Sequence, residues 1–146
     1  ILDTLPWVAT IDAFQHWIYE NPTHSVEERS AAWDRIFSKF ADSITDWSGI
    51  EQVKAKLWQK QLHLFEVPFY YIEYAIAQLG ALAVWRNYCQ NPAKAIDQYL
   101  NALSLGYTKP IKEIYATAGI EFNFSQTYIQ ELMDFLAQKI QQLEES

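Results

Sequence analysis

Glycine, proline and cysteine are scarce in this chain, and each scarcity narrows the possible folds. The 146 residues include four Gly, five Pro and one Cys. A single cysteine excludes an internal disulfide and is typical of a reducing compartment, so we expect a cytoplasmic protein. Few Gly and Pro, together with few β-branched runs, favour helices over a β-sandwich or barrel.

Positive charge is scarce as well. The chain has 11 Lys and Arg against 18 Asp and Glu, which gives a formal net charge of −7. A protein that binds a nucleic-acid backbone needs clustered Lys and Arg, and no basic patch interrupts the acidity. We therefore do not expect a nucleic-acid partner.

The beginning of the chain has neither a starting Met nor a signal peptide. Residues 1–6, Ile-Leu-Asp-Thr-Leu-Pro, contain no basic stretch and no long apolar run. The sequence begins abruptly at Ile1, as if it were cut from something larger. We therefore expect a piece of a longer protein.

Apolar and aromatic residues are abundant by contrast. Half of the chain is hydrophobic, and it has six Trp, nine Tyr and eight Phe. This is ample material for one packed core. We predict an all-α fold, a single helical bundle of about six to seven helices, forming one domain over residues 1–146.

Caps and breakers predict where the helices begin and end. Pro6 opens the first helix and Asn21-Pro22 ends it. Ser25 and Glu28 form a capping-box pattern at the start of the second. Helical spacing of apolar residues predicts a third helix from Ser48-Gly49 to about Phe65. The remaining helices are predicted at about 69–88, at 93–105 before Gly106, after Pro110 up to Gly119, and from Ser125 onward.

The predicted helix at about 69–88 is apolar on nearly every side. Between Val67 and Trp85 the polar exceptions are Glu73 and Gln78. Such a helix is either central in a bundle or spans a membrane. A mid-span acid costs roughly 2.5–3.5 kcal/mol in a bilayer, and the neighbouring helices are amphipathic. We therefore expect a central helix, no membrane partner, and a buried partner for Glu73.

The segment His63–Tyr74 contains the most informative side chains. On a helix that starts at Pro68, Tyr70, Tyr71 and Tyr74 share one face near the N-terminus, and His63 can fold back over it. A phenol carries its proton at neutral pH, and a donor aimed at a developing oxyanion contributes about 3–4 kcal/mol. An aromatic cluster at helical spacing is usually part of a packed core, with each hydroxyl bonded to a backbone carbonyl. The residues alone leave both interpretations open.

No other pattern in the chain predicts a complete catalytic centre. The three histidines, His16, His24 and His63, form no H-x-x-x-H pair, so two of them cannot hold one metal ion from a single helix. The sequence also has no cysteine pair, no glycine-rich phosphate loop and no G-x-S-x-G motif.

The stretch from His63 to Leu82, HLFEVPFYYIEYAIAQLGAL, closely resembles the C-terminal region of oligoendopeptidase F. That family belongs to the thimet-oligopeptidase-like zinc metallopeptidases. Weaker similarity extends over essentially the whole chain, at residues 2–7, 12–19, 97–100, 103–106 and 118–120.

The resemblance implies hydrolysis of short peptides in a deep channel of a mostly helical body. Zinc is held in that family by H-E-x-x-H and a Glu on a following helix. Carried over by motif, the resemblance implies that Tyr74 and His63 are catalytic, with Tyr74 as the oxyanion donor. By the same resemblance, Tyr71 and Tyr70 are expected to contact the substrate.

The departure from the family pattern is the absence of H-E-x-x-H from this sequence. In the family those ligands lie upstream of the resembling region. We therefore expect zinc only in a full-length enzyme, with the missing N-terminal part and a short peptide as partners. The chain alone is expected to hold no metal and to be inactive.

Two other classes of function fit the residues. Residues 92–106, PAKAIDQYLNALSLG, look like the second helix of a tetratricopeptide repeat, a helical protein-interaction module. Only one such unit is present, whereas an array needs about three. A purely structural bundle that acts as a subunit interface is the other possibility, and it predicts exposed Trp and Tyr patches.

Overall fold

The protein is mainly helical in the computed structural model, which describes residues 3–145. Within that range there are eight α-helices, one 3₁₀ helix and no strand, which confirms the predicted all-α class. The elements in order are α1 (Thr4–Glu20), α2 (Val26–Phe40), α3 (Glu51–Lys54), the 3₁₀ helix (Leu57–Lys60), α4 (His63–Glu66), α5 (Ile72–Gln90), α6 (Pro92–Leu105), α7 (Ile111–Thr117) and α8 (Gln126–Glu144).

The helices form two compact units, and the division falls within α5, after Ile76. The core of the first unit is aromatic and aliphatic, with Ile11, Phe14, Trp33, Ile36 and Trp58 buried together. In the second unit the most deeply buried apolar side chains come from α5, α6 and α8, and they include Leu82, Ala83, Ala102 and Leu132.

Local capping chemistry sets several helix ends as the sequence predicts. The Ser25 hydroxyl accepts from the Glu28 backbone N–H at 3.1 Å, and the Glu28 carboxylate accepts from the Ser25 N–H at 2.7 Å. Ser125 caps α8 by accepting from the Tyr128 N–H. Gly106, which follows α6, has a φ of 53°, a conformation that glycine adopts without strain.

The prediction of one helix from Ser48 to about Phe65 is wrong. Three short helical turns, α3, the 3₁₀ helix and α4, occupy this stretch. Leu62 and Phe65, which on one amphipathic helix would both face inward, are each 58% exposed. The backbone of Gln61 is extended, and its side-chain oxygen accepts from Trp7, which lies outside the stretch, so a tertiary hydrogen bond replaces the continuous helix.

The predicted helix at about 69–88 starts later than expected, at Ile72, and runs to Gln90. Pro68 and Phe69 form a turn instead, closed by a 3.2 Å hydrogen bond from the Tyr70 N–H to the Val67 carbonyl. Proline at the second position and a φ of 60° at Phe69 are the signature of a type II turn. The turn, and not a helix, therefore carries the first residues of the aromatic motif.

One side of α5 is open, and the expectation of a buried partner for Glu73 is wrong. Ala77, Ala81, Trp85 and Tyr88 line an apolar groove of about 540 Å³ together with residues of α6 and α7. Glu73 is exposed and needs no buried partner. Across residues 3–145, no helix is both long enough and apolar enough to span a membrane.

Candidate functional site

The side chains of His63, Tyr70, Tyr71 and Tyr74 form one cluster in the first unit. His63 begins α4, Tyr70 and Tyr71 lie in the connection before α5, and Tyr74 is in the first turn of α5. The centroid of the His63 ring is 4.8 Å from that of Tyr71, 5.8 Å from Tyr74 and 6.3 Å from Tyr70. The imidazole is thus the centre of the cluster.

The three tyrosine rings lie close together, but the prediction that they share one face of a helix is wrong. Tyr70 and Tyr71 precede α5, so the turn at Pro68 directs them toward His63. The rings of Tyr71 and Tyr74 are 5.0 Å apart, and those of Tyr70 and Tyr74 are 6.4 Å apart. A turn followed by a helix therefore produces the grouping that the sequence attributed to helical spacing.

The cluster is half core and half surface. Tyr71 packs against the buried core of the first unit. Tyr70 and Tyr74 are 52% and 44% exposed. His63 lies between these environments and is half-buried. The cluster therefore has one side anchored by packing and another side that a ligand can reach.

The turn before Tyr70 is strained and is fixed from α1. Phe69 has a φ of 60°, in the left-handed region that costs a non-glycine residue roughly 1–2 kcal/mol. Its backbone N–H donates to the Gln15 side-chain oxygen at 2.8 Å. Its ring lies 5.0 Å from those of His16 and Tyr19. Gln15 is 2% exposed, so this acceptor is a rigid part of the first unit.

Two residues that the sequence did not single out form a chain of hydrogen bonds that ends at His63. The Trp7 indole N–H donates to the Gln61 side-chain oxygen at 3.1 Å. The Gln61 amide nitrogen lies 2.7 Å from His63 Nδ1. On the other side of the ring, His63 Nε2 is 3.5 Å from the Tyr74 hydroxyl. The only feature of the sequence that could have indicated this chain of hydrogen bonds is the position of Gln61, two residues before His63.

The lowered carboxyl pKa values belong to the acidic surface of the first unit. The backbone N–H of Thr45, with that of Ile44, holds the pKa of Asp42 below its usual value. Hydrogen bonds from Ser48 lower the pKa of Asp46. These exposed carboxylates cap local turns.

The other two histidines, His16 and His24, have polar side-chain partners outside the cluster. His16 faces Asp12 at 3.6 Å on α1, and His24 Nε2 is 2.7 Å from the Arg29 side chain. Over residues 3–145, no three His, Cys, Asp or Glu side chains come together in a group that could hold a metal ion. The described residues therefore do not form a zinc site.

Comparison with known proteins identifies a relationship over most of the chain. Residues 3–134 match the family model described as peptidase family M3. A solved structure titled "PZ peptidase A with inhibitor 2" is 31% identical, with a TM-score of 0.76 over 92% of this chain. The match covers 25% of that protein, so the present chain spans about a quarter of its length. No curated protein matches the chain.

The family match also bears on the repeat-like segment. Residues 92–106 form α6 and lie inside the range matched by the peptidase model. Their apolar spacing therefore has an explanation that needs no tetratricopeptide array.

Proposed function

Because this chain belongs to peptidase family M3, we propose that it is the C-terminal part of a zinc-dependent oligoendopeptidase F-like enzyme that hydrolyses short peptides. Within that enzyme it supplies one wall of the active-site cleft. His63 and Tyr74 are the proposed catalytic residues, and Tyr71 and Tyr70 the proposed substrate contacts.

The observation that carries this proposal is the grouping of three tyrosine rings around His63, with Tyr70 and Tyr74 open to solvent. A closed hydrophobic core would bury all three phenols. A half-open cluster of neutral hydrogen-bond donors suits a site where negative charge develops on a peptide carbonyl oxygen.

Each residue has a role that follows from its position. Tyr74, in the first turn of α5, donates its hydroxyl hydrogen to the developing oxyanion, and the positive end of the helix adds to this stabilisation. His63 donates to the substrate or to the tetrahedral intermediate. Tyr71 is anchored by the core and sets the inner edge of the substrate path, while Tyr70 forms the outer edge.

Zinc in the proposed enzyme belongs to residues outside this chain. The sequence has no H-E-x-x-H, and residues 3–145 bring together no metal-holding group. The similar solved protein is about four times as long as the matched region, which leaves ample chain for such a site. We therefore expect the 146-residue chain alone to cleave no peptide, and a chelator-sensitive peptidase activity of this chain would contradict the proposal.

The decisive experiment replaces the proposed oxyanion donor in the full-length enzyme. Tyr74→Phe removes one hydroxyl and should lower kcat by about 10²–10³-fold, with a much smaller change in KM. Tyr107→Phe is the matched control, since Tyr107 is fully exposed at 106% and lies in the second unit. Equal kcat values for the two variants would refute the role of Tyr74.

A further inference from the structure

We propose that Trp7 and Gln61 hold His63 in the tautomer with its hydrogen on Nε2, and thereby turn the Tyr74 hydroxyl hydrogen outward. The two residues are positioning residues, since they act on the cluster through His63. The tautomer follows from the hydrogen bonds alone, and its catalytic consequence rests on the proposed function.

The orientation of the Gln61 amide is set by Trp7. An indole nitrogen can only donate, so the Gln61 group 3.1 Å from Trp7 Nε1 is the amide oxygen. Turning the amide over would place two N–H groups against each other at a side chain only 9% exposed, and a buried donor without an acceptor is costly. The Lys60 ammonium lies over the Trp7 ring, 4.5 Å from its centroid, and this cation–π contact helps to fix the indole.

The orientation of Gln61 then determines which nitrogen of His63 carries the hydrogen. With its oxygen on Trp7, Gln61 presents its NH₂ group to His63 Nδ1 at 2.7 Å. An amide NH₂ donates, so Nδ1 accepts and is unprotonated. A neutral imidazole has one N–H, which is therefore on Nε2.

The contact between His63 and Tyr74 then sets the direction of the Tyr74 hydroxyl hydrogen. His63 Nε2 lies 3.5 Å from the Tyr74 hydroxyl, so the Nε2–H bond points toward the phenolic oxygen. At this length the contact is weak, so a bound substrate can take the Nε2–H in place of Tyr74. Without substrate, the phenolic hydrogen of Tyr74 points away from the imidazole ring. Tyr74 is 44% exposed, and a ligand can accept that hydrogen. The opposite tautomer would make Nε2 an acceptor and draw the hydrogen inward.

The tautomer can be read by NMR on the chain labelled with ¹⁵N-histidine. With three histidines, the His63 signals are assigned from their loss in His63→Asn. At a pH where the ring is neutral, we expect an unprotonated Nδ1 and a protonated Nε2. Gln61→Glu presents a carboxylate, which only accepts, so Nδ1 should become protonated. An Nδ1–H form in the unaltered chain, or an unchanged His63 pattern in Gln61→Glu, would overturn the proposal.

A second pair of variants covers the case in which Gln61→Glu does not fold. Trp7→Phe removes the indole donor, so Gln61 can turn over and a measurable Nδ1–H population should appear. Trp47→Phe makes the same chemical change elsewhere in the first unit, where Trp47 packs on Phe37, and should leave His63 unchanged. Identical His63 spectra for the two variants would reject the role of Trp7.

The spectra and the kinetics separate the two proposals. An Nδ1–H form in the unaltered chain rejects the Trp7–Gln61 arrangement whatever the effect of Tyr74→Phe. A full-length Tyr74→Phe enzyme with unchanged kcat rejects the proposed function, and the expected spectra would still establish the tautomer.

Discussion

Replacement of Gly80 by alanine should destabilise the protein, although Gly→Ala in a helix usually does the opposite. Gly80 lies inside α5, where alanine would ordinarily gain about 1 kcal/mol. A Cβ atom at this position would lie 2.9 Å from the Tyr115 hydroxyl oxygen and 3.3 Å from its Cζ. The ring of Tyr115 must therefore shift to admit one methyl group.

The size of the effect follows from these two opposing terms. Overpacking of this kind costs about 1–3 kcal/mol, which exceeds the gain in helix propensity. We expect Gly80→Ala to lower the free energy of unfolding by about 1 kcal/mol, or Tm by about 2–4 °C for a chain of this size. Tyr115→Phe removes the nearest atom, so in that background the same substitution should cost about 1 kcal/mol less.

The assay is urea unfolding, followed by circular dichroism, of the four proteins in this double-mutant cycle. The cycle cancels whatever else Tyr115→Phe changes. Ala81→Gly, at the exposed neighbouring position of α5, measures the Ala–Gly difference without a steric clash. A Gly80→Ala protein stabilised by about 1 kcal/mol, with no coupling to Tyr115, would show that the close approach does not constrain this helix.

Three further substitutions test the capping, packing and electrostatics described above. Ser25→Ala removes the cap of α2 and should lower the free energy of unfolding by about 1 kcal/mol in urea titration; an unchanged midpoint would contradict the capping box. Leu132→Ala empties a site that is 0% exposed and should cost about 2–5 kcal/mol, so a thermal shift no larger than that of Ser25→Ala would argue against a packed core there. The Asp42 carboxylate, whose pKa is lowered by the N–H groups of Thr45 and Ile44, stabilises the fold above about pH 4 and loses this effect as the pH falls. Asp42→Asn should therefore make stability between pH 7 and pH 3 less dependent on pH, and identical acid profiles would refute the assignment.

The helix ends that the sequence predicted well are those set by chemistry within a few residues. Ser25 and Glu28 satisfy each other's backbone N–H groups, and Ser125 accepts from Tyr128 three residues on. Gly106 tolerates a positive φ immediately after α6. Such contacts depend on spacing alone, so a reader of the sequence can locate them.

The stretch from Ser48 to Ile72 was predicted poorly because distant residues decide its structure. Gln61 lies between two short turns and bonds to Trp7, 54 positions away. Phe69 adopts a left-handed φ because Gln15, also 54 positions away, accepts its N–H. Apolar spacing cannot reveal either acceptor, and in both cases the tertiary bond outweighs the local preference for a helix.

The sequence by itself determined the all-α class, the capped helices and the residue types of the candidate site, His63 with Tyr70, Tyr71 and Tyr74. The tertiary structure decided how these four side chains meet and which neighbours hold them. A strained turn fixed from α1 brings the tyrosines to His63, and the Trp7–Gln61 pair orders the imidazole. The physical reason is the sequence distance over which each interaction acts. Helix caps form between residues a few positions apart. The hydrogen bonds that orient the site join residues that only folding brings together.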